Sequence, residues 1–251
     1  MKGVILAGGL GTRLNPLTIS SNKHLLPIYD KPMIYYPINT LIKAGIKDIM
    51  LIVSGPHAGS FLPVLKNGEE FGCNLVYAYQ EKPDGGIADA LKLAEEFACG
   101  DNICVILGDN TTDANISSSI EKFDKETDFS NCEPEPRAHI FLKQVNDARS
   151  FGVVKFKDNK KEIEEIIEKP ENPPTNMAVT GVYIYDCWVF NFIRKCKPSA
   201  RGQLEITDVN NLYIKKGKIE WSILYGFWQD AGTFENLYLA NKFWAEKDGK
   251  S

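Results

Sequence analysis

The sequence has little of what nucleic-acid-binding proteins, metal-cluster proteins and membrane proteins usually need. Its 251 residues carry a formal net charge of −4, which argues against non-specific binding to nucleic acids or to membrane surfaces. No apolar run approaches the length of a transmembrane helix, and the N-terminal apolar stretch is too short for a signal peptide. These absences favour a soluble, cytoplasmic protein with neither nucleic-acid nor membrane partners.

Cysteine and histidine are too sparse and too scattered for a zinc site. The sequence has three histidines and six cysteines, with no C-x-x-C pair and no histidine at ligand spacing. Most cysteines lie in apolar or helix-like stretches, which predicts buried free thiols and fits a reducing compartment. The cysteine positions are 73, 99, 104, 132, 187 and 196.

Apolar segments alternate with amphipathic segments through the first 130 residues. Strands are predicted in KGVILAGG, IKDIMLIVSG, NLVYAY and NICVILGD, with helices between them. Such alternation implies parallel strands that are joined by right-handed crossovers and covered on both faces. The sequence therefore predicts an α/β protein with an open, mostly parallel, Rossmann-like sheet flanked by helices.

A polar, proline-bearing segment, DKETDFSNCEPEPR (124–137), is predicted to be a surface loop. It is followed by the strand-like segments AHIFLKQV, FGVVKF and AVTGVYIYD, two helices, the strand IEWSILY and a final helix over about 233–246. We expect one domain over residues 1–251, in which two lobes, 1–130 and 131–251, share the central sheet.

The stretch ILAGGLGTRLNPLT places a glycine-rich loop directly after the first strand. Backbone without Cβ atoms can aim its N–H groups at phosphate oxygens. The dinucleotide fingerprint G-x-G-x-x-G does not fit, because Leu14 takes the third glycine position and two prolines leave no room for its helix. The P-loop pattern is absent as well. A plain strand-to-helix turn remains as an alternative, although it would not need Arg13 and Lys23.

Several motifs in a fixed order carry a resemblance to a known family. LAGGLGTRLNPLT, followed by KHLLPIYDKPMI, LGDN, FGVV, EKP, AVTGVYIYD, SARGQLEITD and WQDAGT, resembles the sugar-1-phosphate nucleotidylyltransferases over nearly the whole chain. The likeness is closest to their short-form glucose-1-phosphate thymidylyltransferases. It implies transfer of a nucleotidyl group from dTTP to glucose 1-phosphate, with release of pyrophosphate, for the biosynthesis of deoxysugars and cell-surface glycans.

The resemblance implies a nucleotide site that lies mainly in the first lobe. Arg13 would grip the triphosphate, Lys23 would neutralise charge near the α-phosphate, and Gln80 would hydrogen-bond the edge of the base. His24 is expected to help position the ligand. The residues expected to bind nucleotide are Leu6, Gly8, Gly9, Gly11, Thr12, Arg13, Lys23, Gln80 and Gly85.

The same resemblance implies a metal site and a sugar-phosphate site. Asp109 and Asp230 would hold Mg²⁺, which prefers one or two carboxylates together with substrate phosphates. Glu168 would accept hydrogen bonds from sugar hydroxyls, and Lys169 would contact the phosphate. The expected sugar-phosphate residues are Asn110, Gly152, Glu168, Lys169, Val179 and Arg201, and the expected catalytic residues are Arg13, Lys23, Asp109 and Lys169.

Two departures from the family pattern keep the substrate open. Thr111-Thr112-Asp113 stand where relatives usually have apolar or aromatic residues, and Gln203 stands where glutamate is common. The alternatives are the same reaction with UTP, or with an amino or deoxy sugar 1-phosphate, and more remotely a non-catalytic nucleotide-sugar sensor. Because relatives assemble as dimers and tetramers, we expect a homodimer or a homotetramer.

Overall fold

The structure is a computed structural model that describes residues 1–126, 135–159 and 161–249. Its strands are β1 (Lys2–Ala7), β2 (Pro27–Ile28), β3 (Lys31–Pro32), β4 (Asp48–Ser54), β5 (Asn74–Gln80), β6 (Ile103–Leu107), β7 (Asn110–Thr112), β8 (Ala138–Gln144), β9 (Gly152–Phe156), β10 (Ile163–Glu168), β11 (Met177–Tyr185), β12 (Ile219–Ile223) and β13 (Trp228–Asp230). Its helices are α1 (Tyr35–Lys43), α2 (Phe61–Leu65), α3 (Ile87–Leu91), α4 (Glu95–Ala98), α5 (Ser117–Glu126), α6 (Trp188–Ile193), α7 (Ile206–Lys215) and α8 (Phe234–Asp248).

Nine strands form one sheet, in the order β10-β9-β11-β6-β1-β4-β5, with β8 pairing beside β11 and β12 pairing with β8. The strands β6, β1, β4 and β5 are mutually parallel. The strands from the second half of the chain join this parallel set through β11, which runs antiparallel to β6. The predicted α/β class is thereby confirmed, and strands from both halves of the chain lie in one sheet.

Apolar layers cover both faces of the sheet. Along β1, Val4 and Leu6 pack into the cluster on one face, whereas Ile5 and Ala7 pack into the cluster on the other. Alternate side chains of a strand point to opposite faces, so a strand buried on both sides needs a continuous apolar run. The run that predicted β1 therefore reflects helices packed on both sides of the sheet.

The carboxyl ends of the parallel strands meet at one edge of the sheet. The glycine-rich loop follows β1, Ser54 and Gln80 end the neighbouring strands β4 and β5, and Asp109 lies two residues beyond β6. A separate two-stranded ribbon pairs β7 with β13, with Asn110 opposite Asp230 in its register. This ribbon brings Asp230 beside Asp109, although the two residues are far apart in sequence.

Some local predictions differ from the structure. The segment of β10, IEEIIE, was not predicted to be a strand, because three of its six residues are glutamates. The helix predicted between the strands NLVYAY and NICVILGD consists of α3, a 3-10 turn over Lys92–Ala94, and α4. Among the residues described, no helix combines the length and the apolar character that a bilayer span requires.

The five cysteines in the described part of the chain are free thiols, but only two are buried. Cys73 and Cys104 are buried as predicted, whereas Cys187 and Cys196 are partly exposed. Cys99 is exposed, contrary to the prediction, because it ends α4 in the left-handed region with a φ of 51°. Cys132, and most of the loop predicted over 124–137, lie outside the described residues.

Candidate active site

The glycine-rich loop after β1 is held in place by its own backbone and by β4. Gly9 has a φ of 88° and donates its N–H to Ser54 Oγ at 3.0 Å. Gly11 has a φ of 65° and precedes a 3-10 turn over Thr12–Leu14. L-residues with a Cβ rarely adopt these left-handed conformations, so glycine is required at both positions. The turn places Arg13 at the mouth of the cleft described below.

Lys23 and Asp109 form an ion pair at the floor of the site. Lys23 Nζ lies 2.5 Å from Asp109 Oδ2, and Asn110 Nδ2 donates to Asp109 Oδ1 at 3.0 Å. Burial alone would raise the pKa of Asp109, but the charge and hydrogen bond of Lys23, together with the hydrogen bond from Asn110, hold the pKa well below its usual range. Asp109 is therefore ionised at neutral pH.

Asp230 lies near Asp109, and Gly232 packs against both carboxylates. Gly232 donates its N–H to Asp230 Oδ1 at 2.8 Å. A Cβ added to Gly232 would lie 2.9 Å from Arg13 Nη2 and 3.5 Å from Asp109 Oδ2. Burial, together with the negative charge of Asp109, raises the pKa of Asp230 to about 6. Two carboxylates and one guanidinium thus surround the same small volume.

Glu168 and Lys169 lie at the end of β10, where they meet the loop that precedes α7. Arg201 Nη2 contacts Glu168 Oε1 at 3.1 Å and Glu205 Oε1 at 2.9 Å, and Thr207 Oγ1 donates to Glu168 Oε2 at 2.5 Å. Lys169 has a φ of 45°, although it carries a side chain and precedes a proline. Backbone strain of this kind is often found at ligand-binding positions.

Asn110 joins three strands through its side chain. Its Oδ1 accepts hydrogen bonds from the N–H of Gly181 at 3.1 Å and from Trp228 Nε1 at 2.7 Å. Its Nδ2 is the donor to Asp109 described above. Asn110 was predicted to bind the sugar phosphate; what the structure shows is that its amide orients Asp109.

These groups line one cleft with two adjoining cavities. The larger cavity, of about 300 Å³, is lined by the glycine-rich loop and by charged residues of both lobes. Among the residues predicted for the site, it is lined by Leu6, Gly8, Gly9, Arg13, Lys23, Gln80, Asp109, Glu168, Lys169, Arg201 and Asp230. The smaller cavity, of about 110 Å³, is lined mostly by residues of the second lobe, with Ile87, Leu107 and Asn110 from the first. Among the residues predicted for the site, it is lined by Asn110, Gly152, Glu168, Lys169, Val179 and Asp230. Glu168, Lys169 and Asp230 border both cavities, so the two cavities adjoin at these residues.

Three of the predicted residues are not among those that line either cavity: Gly11, Thr12 and Gly85. Gly11 shapes the loop, Thr12 is exposed beside it, and Gly85 packs against Asp89. His24 does line the larger cavity, and its imidazole is buried, which lowers its pKa to about 3 and keeps it neutral.

Sequence reasoning did not select Ser54, Gly232 or Asp89 as parts of the site. Ser54 ends a predicted strand, so its position beside the glycine loop could have been anticipated from parallel pairing of β1 with β4. Gly232 lies in the motif WQDAGT, where the glycine could have drawn attention. Asp89 lies inside a predicted helix, and no motif in the sequence marked it as part of the site.

The carboxylates suit a divalent cation that also binds substrate phosphate. Among the described residues, no group of three or more His, Cys, Asp or Glu side chains is arranged to enclose a metal ion. Asp109 and Asp230 offer hard oxygen atoms from two directions, and Mg²⁺ in such sites usually completes its coordination with substrate phosphates and water. The donor set fits Mg²⁺ for this reason, and it does not fit a closed structural metal site.

Comparisons with known proteins identify the family. The chain matches the family described as Nucleotidyl transferase over residues 2–247. A glucose-1-phosphate thymidylyltransferase of Neisseria meningitidis serogroup A is 44% identical over 246 residues, which cover 97% of this chain and 82% of the relative. A glucose-1-phosphate thymidylyltransferase of Mycolicibacterium smegmatis is 40% identical with the same coverage.

Solved structures agree with this result. A Bacillus anthracis protein assigned as a glucose-1-phosphate thymidylyltransferase, in complex with sucrose, is 44% identical with a TM-score of 0.88, over 97% of this chain and 94% of that one. An apo UDP-glucose pyrophosphorylase, 22% identical over 99% of both chains, has a TM-score of 0.83 and so shares the fold. The resemblance drawn from the motifs is thereby confirmed, and the chain belongs to the nucleotidyl transferase family.

Proposed function

We propose that the protein transfers a nucleotidyl group from dTTP to glucose 1-phosphate, giving dTDP-glucose and pyrophosphate. One observation carries the proposal: a single cleft has Arg13 and Lys23 on one side and Lys169 and Arg201 on the other. Two polyanions must meet in this reaction, and cations on both sides oppose their repulsion. The relatives named above are thymidylyltransferases that act on glucose 1-phosphate, which supports these two substrates.

The reaction asks for alignment and charge neutralisation rather than for a protein base. An oxygen of the sugar phosphate, which is already ionised, forms the new bond to the α-phosphorus of the triphosphate. The bond from that phosphorus to the β-phosphate oxygen breaks on the opposite side, and its electron pair leaves with pyrophosphate. Lys23 would neutralise charge near the α-phosphate, and Arg13 would contact the departing phosphates.

Nucleotidyl transferases of this family generally use a divalent metal. We propose Mg²⁺, held by Asp109 and Asp230. When bound, it would neutralise charge on the triphosphate. Asn110 fixes the orientation of Asp109, and the Gly232 N–H fixes that of Asp230.

The sugar phosphate is proposed to lie in the smaller cavity. Glu168 offers a carboxylate to sugar hydroxyls, and its orientation is set by Thr207 on one oxygen and Arg201 on the other. Gly152 and Val179 form an uncharged part of the cavity wall, which suits the carbon face of a pyranose. Lys169 borders both cavities, so it can contact the phosphate of the sugar at the boundary between the two substrates.

The test is release of pyrophosphate in the presence of Mg²⁺, measured for dTTP, UTP, CTP, GTP and ATP against several sugar 1-phosphates. We expect the highest kcat/KM for dTTP with glucose 1-phosphate. A higher value for UTP, or for an amino or deoxy sugar 1-phosphate, would contradict the proposed substrates and retain the reaction. No turnover with any pair, together with binding of dTDP-glucose, would indicate a sensor.

We also propose that the protein acts in the cytoplasm as a homodimer or homotetramer. The free thiols of the described cysteines are compatible with a reducing compartment. The assembly follows the family resemblance, and size-exclusion chromatography with light scattering would measure it directly.

A further inference from the structure

The side chain of Gln80 is held by two acceptors. It ends β5, is only 4% exposed, and lines the larger cavity. Its Nε2 donates to Asp89 Oδ2 at 2.9 Å and to the carbonyl oxygen of Gly86 at 3.4 Å. A side-chain amide nitrogen has two N–H donors, and both are used here. Because a carboxylate and a carbonyl can only accept, the nitrogen must be the atom that faces them.

Asp89 is itself fixed as an acceptor. Lys92 Nζ contacts Asp89 Oδ1 at 2.5 Å, which leaves Oδ2 for Gln80. Burial raises the pKa of Asp89, but the hydrogen bonds from Lys92 and Gln80, together with the charges of Lys92 and Lys82, keep the pKa below its usual value. The carboxylate occupies the space beside Gly85, where any Cβ would overlap Asp89 Oδ2. Glycine at position 85 therefore makes room for this carboxylate.

The amide oxygen of Gln80, Oε1, is available to accept a hydrogen bond from a ligand. No described residue donates a hydrogen bond to Gln80 Oε1. This oxygen lies above the glycine-rich loop, since a Cβ on Gly8 would be 2.9 Å from it. The group that Gln80 presents to the nucleotide side of the cleft is consequently a hydrogen-bond acceptor and not a donor.

We propose that Asp89 is a positioning residue that pins the Gln80 amide with its carbonyl toward the base, so that the enzyme selects bases carrying a ring N–H. The proposal rests on the proposed function. Thymine and uracil present N3–H as their ring donor, whereas N3 of cytosine carries a lone pair. A fixed Gln80 carbonyl can accept a hydrogen bond from N3–H of thymine or uracil. With cytosine, the carbonyl oxygen and N3 would be two acceptors facing each other, so neither would form a hydrogen bond.

The test replaces Asp89 by a group that can either donate or accept. In Asp89→Asn, only the longer contact to the Gly86 carbonyl, at 3.4 Å, still favours the original orientation, so the Gln80 amide can turn over and offer its NH₂ to cytosine N3. We expect the ratio of kcat/KM for dTTP to that for dCTP, with glucose 1-phosphate, to fall about tenfold. Because both triphosphates are measured on one preparation, any unfolded fraction cancels in the ratio, whereas a merely structural role would lower both values equally.

Two control variants separate this effect from charge and packing. Asp84→Asn removes a negative charge from the same segment at an exposed position, and Lys92→Gln removes the partner of Asp89 Oδ1 while Oδ2 still faces Gln80. Both should keep the parent ratio. An unchanged ratio in Asp89→Asn overturns the proposal.

The failure of this inference can be told from a failure of the proposed function. If the parent protein releases no pyrophosphate from dTTP, the proposed function fails. Calorimetric binding of dTTP and dCTP to the parent and to Asp89→Asn then still tests the role of Asp89, because the base is read on binding. Equal loss of affinity for both nucleotides in the variant would also overturn it.

Discussion

At the scale of single residues, the site depends on how firmly Asp109 is oriented. Both of its carboxylate oxygens accept hydrogen bonds, one from Lys23 and one from Asn110. Asn110 is in turn fixed by Gly181 and Trp228, so the orientation of Asp109 is set by strands from both halves of the chain. The carboxylate that we propose as a metal ligand is thus preorganised by neutral neighbours as well as by a cation.

Asp109→Asn should abolish turnover without abolishing binding of the sugar phosphate. An amide is a poor ligand for Mg²⁺ compared with a carboxylate, and it cannot form an ion pair with Lys23. We expect kcat to fall by at least about 100-fold, the size typical for loss of one preorganised electrostatic contact. Pyrophosphate release measures the rate, and calorimetry with glucose 1-phosphate measures the retained binding.

Asp113→Asn is the matched control for that substitution. Asp113 follows Asp109 by four residues, but its carboxylate contacts Lys247 Nζ at 2.7 Å and the Phe227 N–H at 2.6 Å. These contacts hold α8 and the ribbon together and do not face the cleft. The control should keep its Mg²⁺ dependence, and near-normal turnover of Asp109→Asn at ordinary Mg²⁺ would contradict the metal assignment.

At the scale of elements, the ribbon of β7 and β13 was the part hardest to predict. Buried strands such as β1 and β4 are visible as apolar runs, because both of their faces are covered. The segment NTT of β7 has no such pattern, and its partner WQD lies far along the chain, so neither segment predicts the pairing alone. The family resemblance predicted that Asp109 and Asp230 act together, whereas the roles of Asp89 and Gly232 were recognised from their contacts in the structure.

The pairing of β8 with β12 contains a buried histidine. His139 is 6% exposed, and its Nε2 lies 2.9 Å from Ser222 Oγ on β12. Burial lowers the pKa of His139 to about 4; nearby Glu220 opposes this shift, while Lys122 and Arg137 reinforce it. The imidazole is therefore neutral in the folded protein between about pH 4 and its ordinary pKa of 6.5.

This histidine should make the protein less stable in mild acid. Below pH 6.5 the unfolded chain binds a proton that the folded protein takes up only near pH 4, so the free energy of unfolding falls as pH drops between these values. The contribution is up to about 3 kcal/mol. Urea unfolding from pH 7.5 to pH 4.5 should show a smaller decrease for His139→Gln than for the parent.

Ser222→Ala provides the control for that measurement. It removes the hydroxyl that contacts His139 but keeps the buried imidazole, so it should lower stability at every pH and leave the dependence on pH in place. If His139→Gln and the parent lost the same free energy on acidification, another group would be responsible.

At the scale of the whole molecule, the two halves of the chain share one sheet. Strand β6 from the first half pairs with β11 from the second, through residues Val182 to Tyr185 opposite Ile106 to Ile103. Neither half can bury its strands without the other. The sequence indicated a shared sheet from the order of its strand-like segments, but it could not show which strands meet, because edge pairing depends on contacts between distant residues.

The protein should consequently unfold in one transition. All four tryptophans lie in the second half, at positions 188, 221, 228 and 244, whereas far-ultraviolet circular dichroism reports on the whole chain. We expect both signals to give the same midpoint in urea. Val105→Ala leaves a cavity at the buried strand β6 and should lower the free energy of unfolding by about 2 kcal/mol, so both midpoints should fall together. A fluorescence midpoint that stayed at the parent value would show that the halves unfold separately.

The pairing of β7 with β13 also has a consequence for synthesis on the ribosome. The first half of the chain, with its glycine-rich loop and Asp109, is translated before the second half. Asp230 and Gly232 are added only after seven of the eight helices and twelve of the thirteen strands described here have been translated. Until β13 has been translated, the chain therefore lacks the carboxylate that stands opposite Asp109, and the site is completed only when β13 pairs with β7.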